Sequence, residues 1–301
     1  MSIGCNCASG LSNTGRPNCV SLQSVTSKLI MVPLFGADGT ANFIDLTLPL
    51  PVWKDLINEV DASKRWFPLP NFENVELPKA DSQFEEANSG RMVFLRQGKR
   101  SFAGELWAED STPTLLGKLQ NNRCVDFGVY IVDVNGNLVG SKVGDRLYPI
   151  AVDNPSFNPT FTFATDSTTQ KIMLGFDFDR LFDESTMYMI TPTEAGVNFN
   201  DLSGLIDVNL TDLTVASTDV TFDAVLDYGT ALNPIKFSGA ISADFALYNN
   251  TTSATVSVTA VENLPLEGNY TLTYIAQTAA DSLTLSIVKT GFDGEVSYLA
   301  V

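Results

Sequence analysis

The chain has 301 residues and no histidine at all. That absence removes the usual general base, the usual neutral metal ligand and the pH switch of the neutral range. Ser-His-Asp and Cys-His catalysis are excluded outright. Carboxylate or lysine chemistry stays open, but the expectation is a protein that is not an enzyme. Basic residues are also scarce: 18 Lys and Arg stand against 35 Asp and Glu, a net charge of −17. Duplex affinity rests on cations that neutralise phosphates, so a nucleic-acid binder is not expected. No stretch approaches the ~18 apolar residues of a membrane span, and no membrane partner is expected. A basic start followed by ~7–15 apolar residues is missing too. "SIGC" at 2–5 looks like a lipoprotein box without the apolar segment that should precede it. A soluble product made in a cytoplasm is the expectation. No glycine-rich phosphate loop is present, so nucleotide binding is unsupported.

Cysteine is rare as well, and oddly placed. Three of the four, Cys5, Cys7 and Cys19, lie in "CNCASGLSNTGRPNC", and the fourth is Cys124. A structural zinc site wants four ligands, with pairs spaced by about two to four residues. Cys5 and Cys7 are too close for that common pattern and Cys19 stands alone. A disulfide needs oxidising surroundings. The expectation is free thiols on an irregular arm, with Cys124 in the core, and neither zinc nor any other cofactor.

What remains is an apolar fraction of 44 %, enough for a sizeable core, in a length suited to about two domains. Residues 1–26 are rich in Ser, Asn, Gly and Cys and read as an N-terminal arm. "SKLIMVPLF" (27–35) and "FIDLTLPL" (43–50) read as strands joined by a Gly-rich loop. Trp53, Leu56, Ile57 and Val60 recur at helical spacing, which predicts a helix within 51–63. "RWFPLPNFENVELP" (65–78) is broken by prolines and is expected to cross the surface as an extended segment. "RMVFLRQGKRSFAGELW" (91–107) reads as a hairpin turning at Gln97-Gly98. A second, short helix is predicted over 112–121, with Thr112 as N-cap and Pro113 at its first position. In "CVDFGVYIVDVNGNLVG" (124–140), Val125, Phe127, Val129 and Ile131 share a face and Asn135-Gly136 makes the turn. Strands follow at 159–164 and 170–179. The pattern lacks βαβ alternation, which predicts a β-sandwich or barrel with a packed helix over 27–206.

From 207 to 301 the texture changes to short, regularly spaced strands rich in Thr, Ser, Ala and Val, with only Lys236 and Lys289 as bases. This is the rhythm of an Ig-like β-sandwich. Gly268 two residues ahead of Tyr270 looks like a tyrosine corner. The disulfide of antibody domains is missing, since this half has no cysteine. The fold class expected is therefore mainly β: a sandwich or barrel with one packed helix, then an Ig-like sandwich.

Four clusters invite chemistry. Asp177, Asp179 and Asp183 could gather around calcium, although Phe176 and Phe178 alternate with two of them as in a half-buried strand. Asp133, Asn135 and Asn137 echo a calcium loop, but Leu138 sits where the required Gly belongs. Adjacent acids, Glu85-Glu86 and Glu109-Asp110, could serve a glycosidase only across a cleft that nothing here defines. Arg91, Arg96, Lys99 and Arg100 form a basic strip that wants an acidic partner. "ADSQFEE" (80–86), with Glu85 and Glu86, could be that partner on the same or a neighbouring copy, so these six residues are the candidate oligomer interface.

The segments "NTGRPNC", "KLIMVPLFGADGT", "DASKRWFPLPNFENVE", "GRMVFLRQGKRSFAGEL", "LGKLQNNRCVDFGVYIVDVNGNLVG" and "DRLYPIAVDN" resemble structural proteins of tailed phages of Bacteroidetes. The organisation is similar to that of phage tail tube, or major tail, proteins carrying an added Ig-like domain. The resemblance implies a virion structural protein, made in the host cytoplasm and built into the tail. It implies hexameric rings whose inner strands join into one barrel, stacked rings, other tail proteins as partners, and DNA passing without specific binding. An acidic lumen would let DNA slide. The arm 1–26 and the segment 65–90 would bridge rings. The Ig-like domain would decorate the outside and touch glycans weakly, with Tyr228 and Tyr248 as aromatic surfaces. The resemblance carries over no catalytic or metal residue. A head decoration or collar protein, or a cell-surface glycan-binding adhesin, are the alternatives.

Overall fold

The computed structural model describes Gly15 and residues 20–47, 49–230, 232–263 and 267–301. It is mainly β, as the alternation patterns predict. The first unit opens with β1 (Thr26–Pro33), β2 (Ile44–Asp45), α1 (Trp53–Ile57), β3 (Phe67–Pro68) and β4 (Glu73–Glu76). Next come β5 (Gln83–Glu86), β6 (Met92–Arg96), β7 (Ser101–Trp107) and α2 (Pro113–Asn121). It closes with β8 (Phe127–Asp133), β9 (Leu138–Val143), β10 (Arg146–Tyr148), β11 (Ile150–Ala151), β12 (Asn158–Thr162), β13 (Lys171–Asp177), β14 (Met187–Ile190) and α3 (Pro192–Ala195).

A main sheet runs β2-β10-β9-β8-β1-β3, with β11 on β8 and β14 on β9; a second runs β12-β13-β7-β4. Successive side chains of a strand point to opposite faces, and β8, "FGVYIVD", is apolar on both. Phe127, Val129 and Ile131 pack with Leu29, Met31, Phe102, Leu174 and Phe176 between the two sheets. Tyr130 and Val132 pack on the other side with Trp53, Trp66 and Phe199. The main sheet is thus the middle layer. The predicted turn after β8 forms: Gly136 has φ 78°, and its N–H bonds to Asp133 O at 2.9 Å.

Helix α2 forms as predicted, with Thr112 Oγ1 accepting from Leu115 N and Pro113 in the first turn. It is the longer helix, reversing the expected order. The 51–63 helix shrinks to Trp53–Ile57. Asn58 ends it: its side-chain amide donates to Lys54 O at 2.7 Å, and Asp61 then accepts from Ser63 N in a separate turn. Such local side-chain bonds compete with helix continuation, and Val60 is left 89 % exposed. The strand at 43–50 shortens to Ile44–Asp45, because Asp45 Oδ1 accepts from both the N–H and the hydroxyl of Thr47. Helix α3 was not foreseen. Thr191 and Glu194 form a reciprocal capping box and Gly196 closes the helix in the left-handed region.

The 91–107 hairpin is corrected. Strand β6 pairs back onto β5, while β7 pairs with β13 and β4. The true turn is 87–91, where Ala87 N bonds Arg91 O at 2.9 Å. Gly98 has a different reason to be glycine: a Cβ there would lie 1.6 Å from the carbonyl oxygen of Ala80.

The second unit contains β15 (Ile206–Val215), β16 (Asp219–Thr230), β17 (Asn233–Lys236), β18 (Phe245–Asn249) and β19 (Ala254–Val256). It ends with β20 (Val258–Glu262), β21 (Asn269–Tyr274), β22 (Ser282–Ile287), β23 (Phe292–Asp293) and β24 (Glu295–Leu299). One sheet contains the order β20-β21-β16-β15 and the other is β19-β18-β22-β24. Lettered as Ig strands, these orders are D-E-B-A and C′-C-F-G, the strand order of an Ig-like sandwich, with β17 added on β16 and β23 parallel to β15. Phe222, Phe245 and Tyr270 pack against one another in the core of this unit.

Tyr270 is fully buried, but it lies on the E strand, not at the start of F, so the tyrosine corner is corrected. Its hydroxyl donates to Phe237 O at 2.9 Å and accepts from Ala240 N at 3.1 Å. The phenol therefore ties down the connection between the B and C strands. Its pKa lies above the ordinary phenol value because burial disfavours the phenolate.

Candidate assembly interface

The two units keep separate cores. Two apolar clusters lie within the first unit and one within the second, and none spans the boundary among the described residues. The joint is polar instead. Lys118 Nζ bridges Asp207 at 2.8 Å and Asp227 at 2.7 Å, and Arg65 pairs with Asp293. Asn58 Oδ1 accepts from Gly291 N at 3.1 Å. In each of these ion pairs the cation comes from the first unit and the carboxylate from the acidic second one. Burial works against the Lys118 charge, but the two carboxylates outweigh it and hold its pKa above the ordinary lysine value. Tyr228 lies half-buried in this joint with Lys118 5.5 Å above its ring. It is therefore no outward aromatic platform, whereas Tyr248 is exposed.

Lys28 is buried in the same cleft. It has no carboxylate partner among the described residues and donates to Asn200 O at 2.6 Å and Leu202 O at 2.9 Å. Burial lowers its pKa, against the pull of Asp201 and Asp110. Its bonds pin the segment that leads into the second unit.

The β5–β6 hairpin is the feature that stands apart. It is a two-stranded ribbon that projects beyond the β4–β7 pair, joined to it by Ala80 N to Lys99 O at 2.8 Å, Ser101 N to Pro78 O at 2.9 Å and the antiparallel Lys79–Arg100 bridge, and among the described residues no third strand pairs with it. Every residue of both strands is exposed. Phe84 faces Phe94 across the pair, rings 5.6 Å apart, with Met92 on the same face and Val93 and Leu95 on the other. Phe84 and Phe94 are each 52 % exposed and Met92 is 57 % exposed. Apolar side chains on both faces of a strand are the mark of a buried strand, yet here both faces and both edges meet solvent.

The six predicted interface residues divide. Arg91, Arg96, Glu85 and Glu86 all lie on or beside this hairpin and are exposed. Arg96 Nε donates to Gln83 Oε1 at 2.7 Å, so the acidic strand does lie alongside the basic one. Lys99 and Arg100 are drawn elsewhere within the chain. Lys99 bonds Asp153 at 3.3 Å and Asp177 at 3.1 Å; Arg100 bonds Glu184 at 2.7 Å and Leu77 O at 2.9 Å. The acids they find are not those of "ADSQFEE". Lys79 and Arg100 together hold the Glu184 pKa below the usual glutamate value.

The aspartates of the two calcium-like clusters serve local structure. Asp177 accepts from Ser101 Oγ at 2.6 Å, Asp179 from Leu181 N at 2.6 Å and Asp183 from Ser185 N at 2.9 Å. No group of three potential metal ligands converges among the described residues. Asp133 is fully buried and accepts from Asn135 N, Asn137 N, Asn137 Nδ2 and Ser24 N, all at 2.8–2.9 Å. It organises the β8–β9 turn and anchors the end of the arm. Cys124 is exposed, not in the core as expected, because it ends the short turn after α2 rather than entering β8. Cys5, Cys7 and Cys19 lie outside the described residues, as does Leu48.

No family model matches the sequence, and no curated protein or solved structure matches it.

Proposed function

We propose that this chain is a self-assembling virion structural protein of the tail tube kind. In this reading, copies form six-membered rings that stack into a tube through which DNA passes, with the Ig-like unit outside. The observation that carries it is the β5–β6 hairpin. Beyond its junction with β4 and β7 the hairpin is a bare two-stranded ribbon, which is marginal in water, and open strand edges are templates for pairing with another chain. A hairpin with apolar side chains on both faces gains most from insertion between neighbouring subunits. Its mixed charges, Glu85 and Glu86 on one side and Arg91 and Arg96 on the other, suit pairing with a second copy of itself. The missing histidine and the engagement of Asp133, Asp177, Asp179 and Asp183 in local hydrogen bonds support a structural reading over a catalytic one. The resemblance to tail tube proteins supplies the ring order and the virion setting.

Negative-stain microscopy of the purified chain beside a Phe84→Ser, Phe94→Ser double variant tests this. Rings or tubes are expected for the unaltered chain and isolated monomers for the variant. Monomers in both would sink the reading.

A further inference from the structure

We propose that an apolar groove at one pole of the first unit receives the N-terminal arm of a second copy, so that copies join head to tail. This rests on the assembly reading above and names its second contact.

The groove has a volume of about 510 Å³ and is lined by Met31, Pro33, Phe35, Phe67, Val125 and Phe127 among others. Phe35, Phe67 and Val125 stand exposed around it. It lies where β1 ends and β8 begins. The arm leaves from the opposite pole. There Ser24 N is fixed to Asp133 at 2.8 Å, and Val134 N to Val25 O at 2.9 Å. Val20, Leu22, Val25 and Val134 are exposed at that pole. The β1–β8 pair runs from Thr26 opposite Asp133 to Pro33 opposite Phe127. At about 3.3 Å per residue the poles are roughly 20 Å apart. Two unmatched apolar surfaces at opposite ends of one molecule cannot cover each other. A neighbour placed end to end covers both, and repetition of a contact between different patches gives an open stack.

Charge and chemistry point the same way. Arg16 is the only charged side chain before Lys28 in a chain of net charge −17, and Asp126 stands exposed beside the groove. Cys124 is exposed two residues before Asp126. An arm seated there brings its thiols to the one other cysteine in the sequence. Cys19 is five residues from the anchored Ser24, a reach of at most about 17 Å. That falls short of the groove of its own chain, so a Cys19–Cys124 link joins two copies.

The full-length chain at assembling concentration is treated with diamide, which takes one hydrogen from each of two thiols as the disulfide forms. Products are separated on a non-reducing gel and the linked peptides mapped. The expected result is a ladder of dimers and larger species carrying Cys19–Cys124, diminished at least tenfold in Cys124→Ser. Links within single chains only, a ladder undiminished in Cys124→Ser, or no link at all overturns the inference. Microscopy of the same sample separates the two claims. Rings or tubes lacking the Cys19–Cys124 link overturn the arm contact and leave the assembly reading standing. A Cys19–Cys124 ladder without rings or tubes upholds the contact and overturns the tube.

Discussion

Tyr270 shows how one side chain can fix a distant connection. The Ig-like unit has no cysteine, and its B–C connection is held by the Tyr270 hydroxyl through one donated and one accepted hydrogen bond. Tyr270→Phe keeps the ring packing but leaves a buried carbonyl and a buried N–H unpaired. Each such group costs about 1–3 kcal/mol, so urea unfolding of the variant is expected to lose about that much stability or somewhat more. An unchanged midpoint would show that the loop finds other partners. The sequence made Tyr270 visible through Gly268 and the strand that follows, but not its partners, which lie 30 and 33 residues upstream. Asp133 behaves similarly. Its turn was legible from Asn135-Gly136, whereas its bond to Ser24 spans 109 residues and left no local trace.

Among the elements, strands with strict alternation were readable, and pairing was not. Strand β8 and its turn follow directly from "FGVYIVDVNG", because a two-residue Asn-Gly signal fixes the partner. Strands β6 and β7 were equally visible as strands, but Gln97-Gly98 mimicked a turn. The glycine there answers to the close approach of Ala80, a contact set by tertiary packing. Helix α1 illustrates the other failure, since periodicity could not see Asn58 and Asp61 turning the chain aside. The hairpin is held at its base by β4 and β7, and beyond that every residue of its two strands is exposed. Its apolar residues contribute no core contacts, so Phe84→Ser with Phe94→Ser is expected to change the unfolding free energy by less than about 0.5 kcal/mol, the usual surface range. A large loss would mean that the hairpin packs within the monomer.

At the scale of the whole molecule, two cores are joined by ion pairs, and relative motion is the default for so polar a joint. Several carboxylates owe their depressed pKa values to partners present only in the fold. Asp227 is held below 3.8 chiefly by its bond to Lys118, Asp177 by Ser101 and then Lys99, and Glu184 below 4.5 by Lys79 and Arg100. A depressed folded-state value means stabilisation that is complete above the unfolded value and is lost as pH falls through the folded one. The melting temperature is therefore expected to be flat from about pH 7 to 5 and to fall below about pH 4. A fall beginning near neutrality would point to groups other than these.

The claim on which the rest depends is that the β5–β6 hairpin is completed by another copy. Hydrogen exchange at residues 83–96 measures it most directly. In dilute monomer these amides are expected to exchange among the fastest in the chain, since open edges and marginal pairing leave them little protection. In concentrated, assembled protein the same amides are expected to slow by at least tenfold, while the amides of β8 stay unchanged. Fast exchange at 83–96 in assembled particles would contradict the account, because the hairpin would then face solvent there too.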